Sequence, residues 1–213
     1  KGHANMTGED FSYLELGAFD GSQESNTRFF DRCLGWKGLL IEGNPLNFQK
    51  VIINRPFAHK MSLAPSCMTS NGTIPFYKHP MTNAGLIGHA KSYEGRQTAD
   101  VPCGPLSPIL QDIFVENNKR GKPTLNFFSL DVEGAEFLIL QTIDFSLVQI
   151  DVMMIEISNN FCKNDNCVVR KQVRAKMKEV GYLRYEGLVH ASDIYIHPGS
   201  PYQIPASIAS AKE

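Results

Sequence analysis

Acidic residues stand at four points of this 213-residue chain where a short apolar run gives way to a turn. Apolar runs of this kind, bounded by turn residues, are typical of buried β-strands. The parallel strands of an open α/β sheet bring their carboxyl ends to one edge, and ligands bind in the crevice outside that edge. The sequence therefore predicts a ligand site lined by the carboxylates of Glu15, Glu42, Asp131 and Glu156.

The turn after the first predicted strand indicates which cofactor this edge would hold. A dinucleotide-binding turn follows the pattern G-x-G-x-x-G, so that its backbone can approach a pyrophosphate. Here Gly17 and Gly21 flank three residues, and Phe19 stands where the second glycine would be. The bulky side chain disfavours a pyrophosphate. The carboxylate of Glu15, just before the turn, disfavours a polyanion and favours a cation.

The acidic residue at the end of the second predicted strand indicates a ribose. An ionised carboxylate only accepts hydrogen bonds, so Glu42 can accept one from each of the two hydroxyl groups of a diol. A sulfonium cofactor that carries a ribose and no phosphate fits Phe19, Glu15 and Glu42 together. We therefore expect S-adenosylmethionine.

The densest acidic segment follows the fourth strand of the predicted parallel sheet. Asp131 and Glu133 are expected to border the transferred methyl group and to orient or deprotonate an acceptor hydroxyl. A structural interpretation is also open, in which Asp131 caps the next helix and Glu133 and Glu136 favour its positive start. Glu136, three residues beyond Glu133, is expected to have a structural role.

Two further chemistries remain open at this edge. Asp131 and Glu156 end neighbouring predicted strands, and oxygen ligands suit Mg²⁺ or Mn²⁺, so these two residues form a potential metal site. His190, near a strand end, is a further potential base. The long glycine-punctuated segment 80–100 is predicted to be either a lid over the acceptor or a disordered loop.

Strand-like and helix-like segments alternate along the chain, which favours a mostly parallel sheet covered by helices on both faces. Two closing strands, joined by a short loop, should pair antiparallel. Asn71-Gly72 predicts a tight hairpin turn between Met68 and Tyr77. Residues 1–10 are expected to be a polar arm and 11–213 a single domain. Because the chain opens on Lys1, we expect it to be a module of a larger polypeptide. The expected strands are 11–17, 37–42, 57–63, 125–131, 150–157, 182–189 and 192–197, and the expected helices are 23–34, 44–54, 105–115, 133–143 and 168–180.

Composition excludes several classes of protein. Hydrophobic residues make up 42% of the chain and charged residues 20%, which argues against disorder and coiled coil. The formal net charge is -1, so the chain lacks the basic footprint of a nucleic-acid binder. No apolar run approaches the roughly 18 residues that a membrane span needs.

The five cysteines are odd in number and scattered, which predicts no disulfide framework and favours a reducing, cytoplasmic compartment. Cys162 and Cys167 are expected to be ordinary thiols in a loop. Asn5-Met6-Thr7 and Asn71-Gly72-Thr73 match the glycosylation acceptor pattern. Because no secretory signal opens the chain, we do not expect these two asparagines to be glycosylated.

Several motifs together resemble the FkbM-type, class I S-adenosylmethionine-dependent methyltransferases. They are Glu-Leu-Gly-Ala-Phe-Asp-Gly at 15–21, Ser-Asn-Thr at 25–27, Gly-Trp-Lys-Gly-Leu-Leu-Ile-Glu at 35–42, Cys-Gly-Pro-Leu at 103–106 and Phe-Ser-Leu-Asp-Val-Glu-Gly-Ala-Glu at 128–136. The resemblance covers roughly residues 11–197. It implies a Rossmann-like methyltransferase fold and O-methylation, often of sugars or natural products.

From the residues and the resemblance we expect an S-adenosylmethionine-dependent O-methyltransferase that acts on a sugar hydroxyl of a glycan, with a deoxyhexose such as rhamnose as one acceptor. The alternatives are an O-methyltransferase of a small natural product, a nicotinamide-dependent oxidoreductase (which Phe19 disfavours) and a non-catalytic domain that retains the fold. The expected catalytic residues are Asp131, Glu133, Glu156 and His190. The expected cofactor-binding residues are Glu15, Gly17, Ala18, Phe19, Asp20, Gly21, Ser25, Asn26, Glu42 and Asp131.

Overall fold

The computed structural model describes residues 11–82, 85–89, 97–116, 121–157 and 167–205. The strands in these ranges are β1 (Ser12–Leu16), β2 (Lys37–Ile41), β3 (His59–Met61), β4 (Gly72–Tyr77), β5 (Thr98–Cys103), β6 (Thr124–Leu130), β7 (Gln149–Glu156), β8 (Leu183–Val189) and β9 (Ser192–Ile196). The helices are α1 (Arg28–Leu34), α2 (Pro45–Asn54), α3 (Leu106–Ile113), α4 (Glu136–Gln141) and α5 (Val168–Glu179).

Seven of these strands form one sheet in the order β3-β2-β1-β6-β7-β9-β8. In this sheet β3, β2, β1, β6 and β7 are mutually parallel, and β9 pairs antiparallel with both β7 and β8. The sheet confirms the predicted α/β fold with its antiparallel closing pair. Chain order reverses between β1 and β6, so the site edge lies at a topological switch point.

Both faces of the central strands are buried, as the continuous apolar runs predict. Alternate residues of β1 enter different clusters: Leu14 packs with α3, α4 and α5, whereas Tyr13 packs with Val51 of α2. The helices thus cover the sheet from two sides and leave the carboxyl ends of the strands open for the site.

The first residues of α2 and α4 lie beside the carboxyl ends of the parallel strands, where the site is expected. Asn44 caps α2, because its Oδ1 accepts a hydrogen bond from the Leu46 amide at 3.0 Å, with Pro45 in the first turn. α4 begins at Glu136 rather than at 133, because Glu133 and Gly134 have positive φ values of 62° and 100° that no right-handed helix contains. The interpretation of Asp131 as a helix cap is therefore wrong.

The tight hairpin predicted at Asn71-Gly72 is also wrong. β4 pairs with β5 instead, in a separate two-stranded sheet that sets Gly72 opposite Cys103. Asn71 has a left-handed φ of 82°, as the dipeptide favours, but it leads into the first strand of a distant pair. The dipeptide Asn71-Gly72 thus predicted the left-handed backbone of Asn71 correctly, but it did not predict that β5 is the strand that pairs with β4.

A disulfide joins Cys67 to Cys103, with 5.6 Å between their Cα atoms, and Cys167 is also disulfide-bonded. Among the described residues, the free cysteine is the exposed Cys33. The prediction of no disulfides is therefore wrong, because the number of cysteines says nothing of which ones a non-local strand pair brings together. No helix in the described ranges is long and apolar enough to cross a membrane.

Candidate active site

The turn after β1 lies directly against the end of β6. Gly17 has a φ of +83°, and a Cβ atom on it would stand 1.7 Å from the carbonyl oxygen of Asp131. The amide of Gly17 donates to the carbonyl of Ile41 at 3.1 Å, and the amide of Asp131 donates to the carbonyl of Leu16 at 3.1 Å. Only glycine fits this approach, which brings the ends of β1, β2 and β6 together.

Glu42 joins the turn after β1 to the end of β2. Its Oε2 accepts a hydrogen bond from the Phe19 amide at 2.8 Å, and its Oε1 accepts one from the Asn44 amide at 2.7 Å. Burial raises the pKa of Glu42 to about 7. Each carboxylate oxygen can accept a further bond, so the side chain remains able to hold a diol.

Glu15 points into the segment that follows the turn and lines neither of the two cavities described below. Its carboxylate accepts hydrogen bonds from Ser25 Oγ, the Asn26 amide and Thr27 Oγ1 at 2.7–2.8 Å. Burial raises the pKa of Glu15, although these hydrogen bonds act to lower it. The structure therefore places Glu15 beneath the segment 25–27, where it fixes the loop.

The remaining predicted cofactor residues divide into two groups. Asp20 accepts hydrogen bonds from the amides of Ser22 and Gln23 at 2.7 Å and closes the turn. Asn26 lines a cavity and donates from Nδ2 to Ser129 Oγ at 3.0 Å. The cavity-lining group is Gly17, Ala18, Phe19, Asn26, Glu42 and Asp131, and the group that shapes the loop is Glu15, Asp20, Gly21 and Ser25.

A fully buried arginine, Arg55, supports the loop after β1, and no motif in the sequence predicts this role. Arg55 Nε donates to Asp31 Oδ2 at 2.6 Å, and Arg55 Nη2 donates to Tyr13 Oη at 2.7 Å. Arg55 Nη1 donates to Ser25 Oγ at 3.0 Å and lies 3.7 Å from Glu15 Oε2. These bonds compensate the buried charge and hold the loop after β1 against α2.

A largely apolar cavity opens between the ends of β1 and β2 and the start of α4. Concave, mostly apolar sites with a few polar groups are typical of small-molecule binding. Phe76 forms one wall and packs against the backbone of Gly43, where a Cβ would lie 2.7 Å from the ring. The wall residues Leu63, Ala64, Ser66 and Phe76 were not predicted from the sequence, whereas Leu86 belongs to the segment 80–100 for which a lid was one of the two predictions.

A second cavity adjoins the first and is strongly acidic. The carboxyl groups of Glu24, Asp131, Glu133 and Glu156 line it, and none of its described lining residues is basic. The two cavities share Gly17, Thr82, Asp131 and Glu133. A ligand in the first cavity would therefore border the carboxylates of the second.

Three of these carboxyl groups form a cluster in which one oxygen of each lies within 4.8 Å of the others: Asp131, Glu133 and Glu156. Burial and the neighbouring carboxylates raise the pKa of Glu133 to about 8. Burial and Asp131 raise the pKa of Glu156, which shares a hydrogen bond with Asp131. Carboxylates this close either retain protons at neutral pH or are compensated by a cation.

The cluster contains one polar atom without a partner. Oε2 of Glu156 is buried and makes no hydrogen bond to any described residue. Unsatisfied buried carboxylate oxygens are rare and call for an explanation, such as an ion or a ligand. The donor set and this atom fit a divalent cation held by Asp131 and Glu156, with Glu133 at the same point.

Glu136 fixes the turn that carries the cluster. Its Oε1 accepts hydrogen bonds from the amides of Val132 and Gly134, each at 3.1 Å. Burial raises its pKa to about 7. The left-handed backbone of Glu133 is held by these bonds, and strained residues of this kind concentrate at functional sites.

His190 lies apart from the cluster. It is exposed in the turn between β8 and β9, at the same sheet edge, two residues before Ser192, which pairs with Glu156. It lines neither cavity. Residues 83, 84 and 90–96 of the predicted lid lie outside the described residues, as do Asn159 and Asn160, which follow Glu156 in the sequence and were further potential oxygen ligands.

The site can be compared with known families. A family model described as "Methyltransferase FkbM domain" matches residues 15–184. The chain belongs to this family. The matched FkbM methyltransferase domain extends from Glu15 in β1 to the start of β8, and it includes every residue described above as lining the two cavities. A search of curated proteins found no match.

Proposed function

We propose that this FkbM-family protein is an S-adenosylmethionine-dependent O-methyltransferase that acts on a sugar hydroxyl of a glycan. One observation carries the proposal: the apolar cavity and the acidic cavity share Gly17, Thr82, Asp131 and Glu133. A methyl donor in the first cavity would therefore face an acceptor held beside the carboxylates of the second.

The first cavity fits the adenosine part of the cofactor. Its apolar wall, with Phe76 and Leu86, suits an adenine ring, and Glu42 at its floor suits the ribose hydroxyls. The backbone of 17–19 would approach the rest of the cofactor, because Gly17 lines both cavities and Ala18 and Phe19 line the second. When bound, S-adenosylmethionine supplies an electrophilic methyl group on a positively charged sulfur, which the acidic second cavity complements.

The carboxylate cluster would accept the proton of the acceptor hydroxyl. A positioned base contributes about 10²–10⁴-fold to a rate, and it works best with a pKa near the operating pH. Glu133, with a pKa of about 8, meets that condition and lies where the two cavities join. Alignment of the reactants would supply a further part of the barrier reduction, of which about 7–11 kcal/mol is available to well-oriented groups.

A divalent metal ion bound at the carboxylate cluster is the alternative means of activating the acceptor hydroxyl. Asp131 and Glu156 would be its ligands, and the unpartnered Oε2 of Glu156 supports that arrangement. A bound Mg²⁺ or Mn²⁺ lowers the pKa of a coordinated hydroxyl. In that case the three carboxyl groups would be ionised together, and none of them would need to act as the base.

The charge of the second cavity limits the acceptor. Four carboxyl groups and no basic side chain among its described lining residues would repel phosphate-rich substrates and accept neutral hydroxyl compounds. A sugar, such as a deoxyhexose, meets this condition, and the family resemblance favours it. A small natural product is the second acceptor class that meets it.

The proposal is tested in two steps. Isothermal calorimetry with S-adenosylmethionine and with NAD decides the cofactor, and binding of NAD alone would overturn the proposal. Mass spectrometry after incubation with a panel of free sugars, glycans and small hydroxylated natural products then locates the transferred methyl. Transfer to oxygen of a sugar supports the proposal, and transfer to nitrogen or to nucleic acid would refute it. A folded protein that binds cofactor and methylates nothing would point to a non-catalytic domain.

A further inference from the structure

The segment that carries Asn71 is closed by a disulfide. Cys67 lies four residues before Asn71, and its partner Cys103 lies opposite Gly72 in the register of β4 and β5. Cys167 is a third disulfide-bonded cysteine in the described residues. Structural disulfides form and persist in oxidising compartments and are rare where thiols are kept reduced.

The same segment carries a complete acceptor pattern for N-linked glycosylation, Asn71-Gly72-Thr73, with glycine rather than proline at its middle position. All three residues are exposed. Asn71 has a left-handed φ of 82° at the bend before β4, and no hydrogen bond joins its side-chain amide to a described residue. The amide nitrogen is therefore open to an incoming group.

We propose that Asn71 carries an N-linked glycan, added where the chain also acquires its Cys67–Cys103 disulfide, in an oxidising secretory compartment. The disulfides argue against the reducing compartment that the scattered cysteines predicted. Exposure, an intact pattern and a neighbouring disulfide are three observations on one short segment, and none of them depends on the proposed methyl transfer.

The chemistry of the modification needs a lipid-linked oligosaccharide diphosphate as donor. A bond forms between Nδ2 of Asn71 and the anomeric carbon of the first sugar. The bond from that carbon to the diphosphate oxygen breaks, and the lipid diphosphate leaves with the electron pair. The amide proton passes to a base of the transferring enzyme.

A glycan at Asn71 is compatible with an open active site. Phe76, which forms a wall of the first cavity, lies four residues beyond Gly72 along β4, or about 13 Å at the usual rise of a strand. Thr73 and Pro75 are exposed, whereas Phe76 is buried, so the outer face of β4 turns away from the cavity. The glycan would therefore mark the outer end of the two-stranded sheet.

The test uses the chain isolated from the cells that make it. An amidase that releases N-linked glycans converts a glycosylated asparagine to aspartate and takes the new oxygen from water. In ¹⁸O-water, peptide mass spectrometry should therefore find ¹⁸O-labelled aspartate at position 71 after treatment and none in an untreated sample, which separates glycan release from spontaneous deamidation of Asn71-Gly72. Without reduction, the Cys67 peptide should be linked to the Cys103 peptide. An unmodified Asn71, or free thiols at both Cys67 and Cys103, would overturn the proposal.

Variants of the full chain, expressed behind a cleavable leader in a eukaryotic secretory pathway, give the matched comparison. N71Q and T73A should each abolish the gel shift that glycan release causes at this position, and N5Q, at the other acceptor pattern, should retain it. T73A keeps Asn71 in place, so it remains informative if N71Q fails to fold. A glycan at position 71 that persists in T73A would contradict recognition of this pattern.

Discussion

The amide of Phe19 donates a 2.8 Å hydrogen bond to Oε2 of Glu42, so the end of β2 fixes the backbone of the turn after β1. Phe19 adopts a positive φ of 49° there, which a bulky residue rarely does. One carboxylate thus positions the turn and faces the cavity proposed for adenosine. Changes at Glu42 should therefore alter cofactor binding through both roles.

Replacement of Glu42 by alanine should weaken the binding of S-adenosylmethionine by several-fold to a hundred-fold. A hydrogen bond to a charged group contributes about 1.5–3 kcal/mol, and the variant loses such bonds to the ribose. Isothermal calorimetry measures the change. Glu116→Gln, at an exposed glutamate outside both cavities, is the matched control and should bind like the wild type. Unchanged affinity in Glu42→Ala would refute the ribose assignment.

Glu42 should also make the stability of the ligand-free protein depend on pH. Its pKa rises from 4.5 in the unfolded chain to about 7 in the folded one. Between these values the folded state binds more protons, so the free energy of unfolding falls as pH rises, by about 3 kcal/mol in total. Below pH 4.5 the contribution is fully present, and above about pH 7 it is lost.

Urea unfolding at pH 5 and pH 7.5 measures this effect in the wild type and in Glu42→Gln. The other buried carboxyl groups with raised pKa values act in the same direction in both proteins, so the difference between the two slopes isolates Glu42. The slope should be shallower in Glu42→Gln. Equal slopes would show that Glu42 is ionised throughout this range in the folded protein.

Removal of the Cys67–Cys103 disulfide should destabilise the fold and weaken cofactor binding. The loop that it closes spans 36 residues, for which the loss of chain entropy in the unfolded state corresponds to about 3–4 kcal/mol. Ala64, which bridges to Cys103, and Ser66, beside Cys67, line the first cavity, so its wall should loosen. Thermal unfolding and calorimetry of Cys67→Ser/Cys103→Ser test both effects. Cys33→Ser should change neither, and an unaffected double variant would show that the disulfide contributes nothing to either property.

Chelation should distinguish the two mechanisms proposed at the carboxylate cluster, a carboxylate base and a divalent metal ion. If a carboxylate is the base, EDTA should leave turnover unchanged. If a divalent metal is the device, EDTA should abolish turnover, and Mg²⁺ or Mn²⁺ should restore it. In the second case Mn²⁺ should also raise the melting temperature of the wild type but not that of Glu156→Gln, because that variant lacks a ligand. Restored turnover without such a difference would place the metal elsewhere.

The parallel sheet could be predicted because its strands are short apolar runs that end at acidic or glycine-rich turns, and Asn44-Pro45 marks the start of α2 for a local reason. The partner of β4 could not, because Gly72 and Cys103 meet only through the tertiary fold. The positive φ of Glu133, because of which α4 begins only at Glu136, could not be predicted, since a glutamate rarely adopts this conformation. Glu15 was placed at the right strand end, but its direction depends on the buried Arg55, whose contacts come from three separate segments.

The most direct test of the account is mass-spectrometric measurement of methyl transfer to sugar acceptors by the wild type, Asp131→Asn, Glu133→Gln, Glu156→Gln and the control Glu116→Gln. We expect O-methylated sugar from the wild type and the control. At least one cluster variant should lose about 10²–10⁴-fold in kcat while its affinity for S-adenosylmethionine stays within a few-fold. Full activity in all three cluster variants would contradict the account and place the chemistry elsewhere.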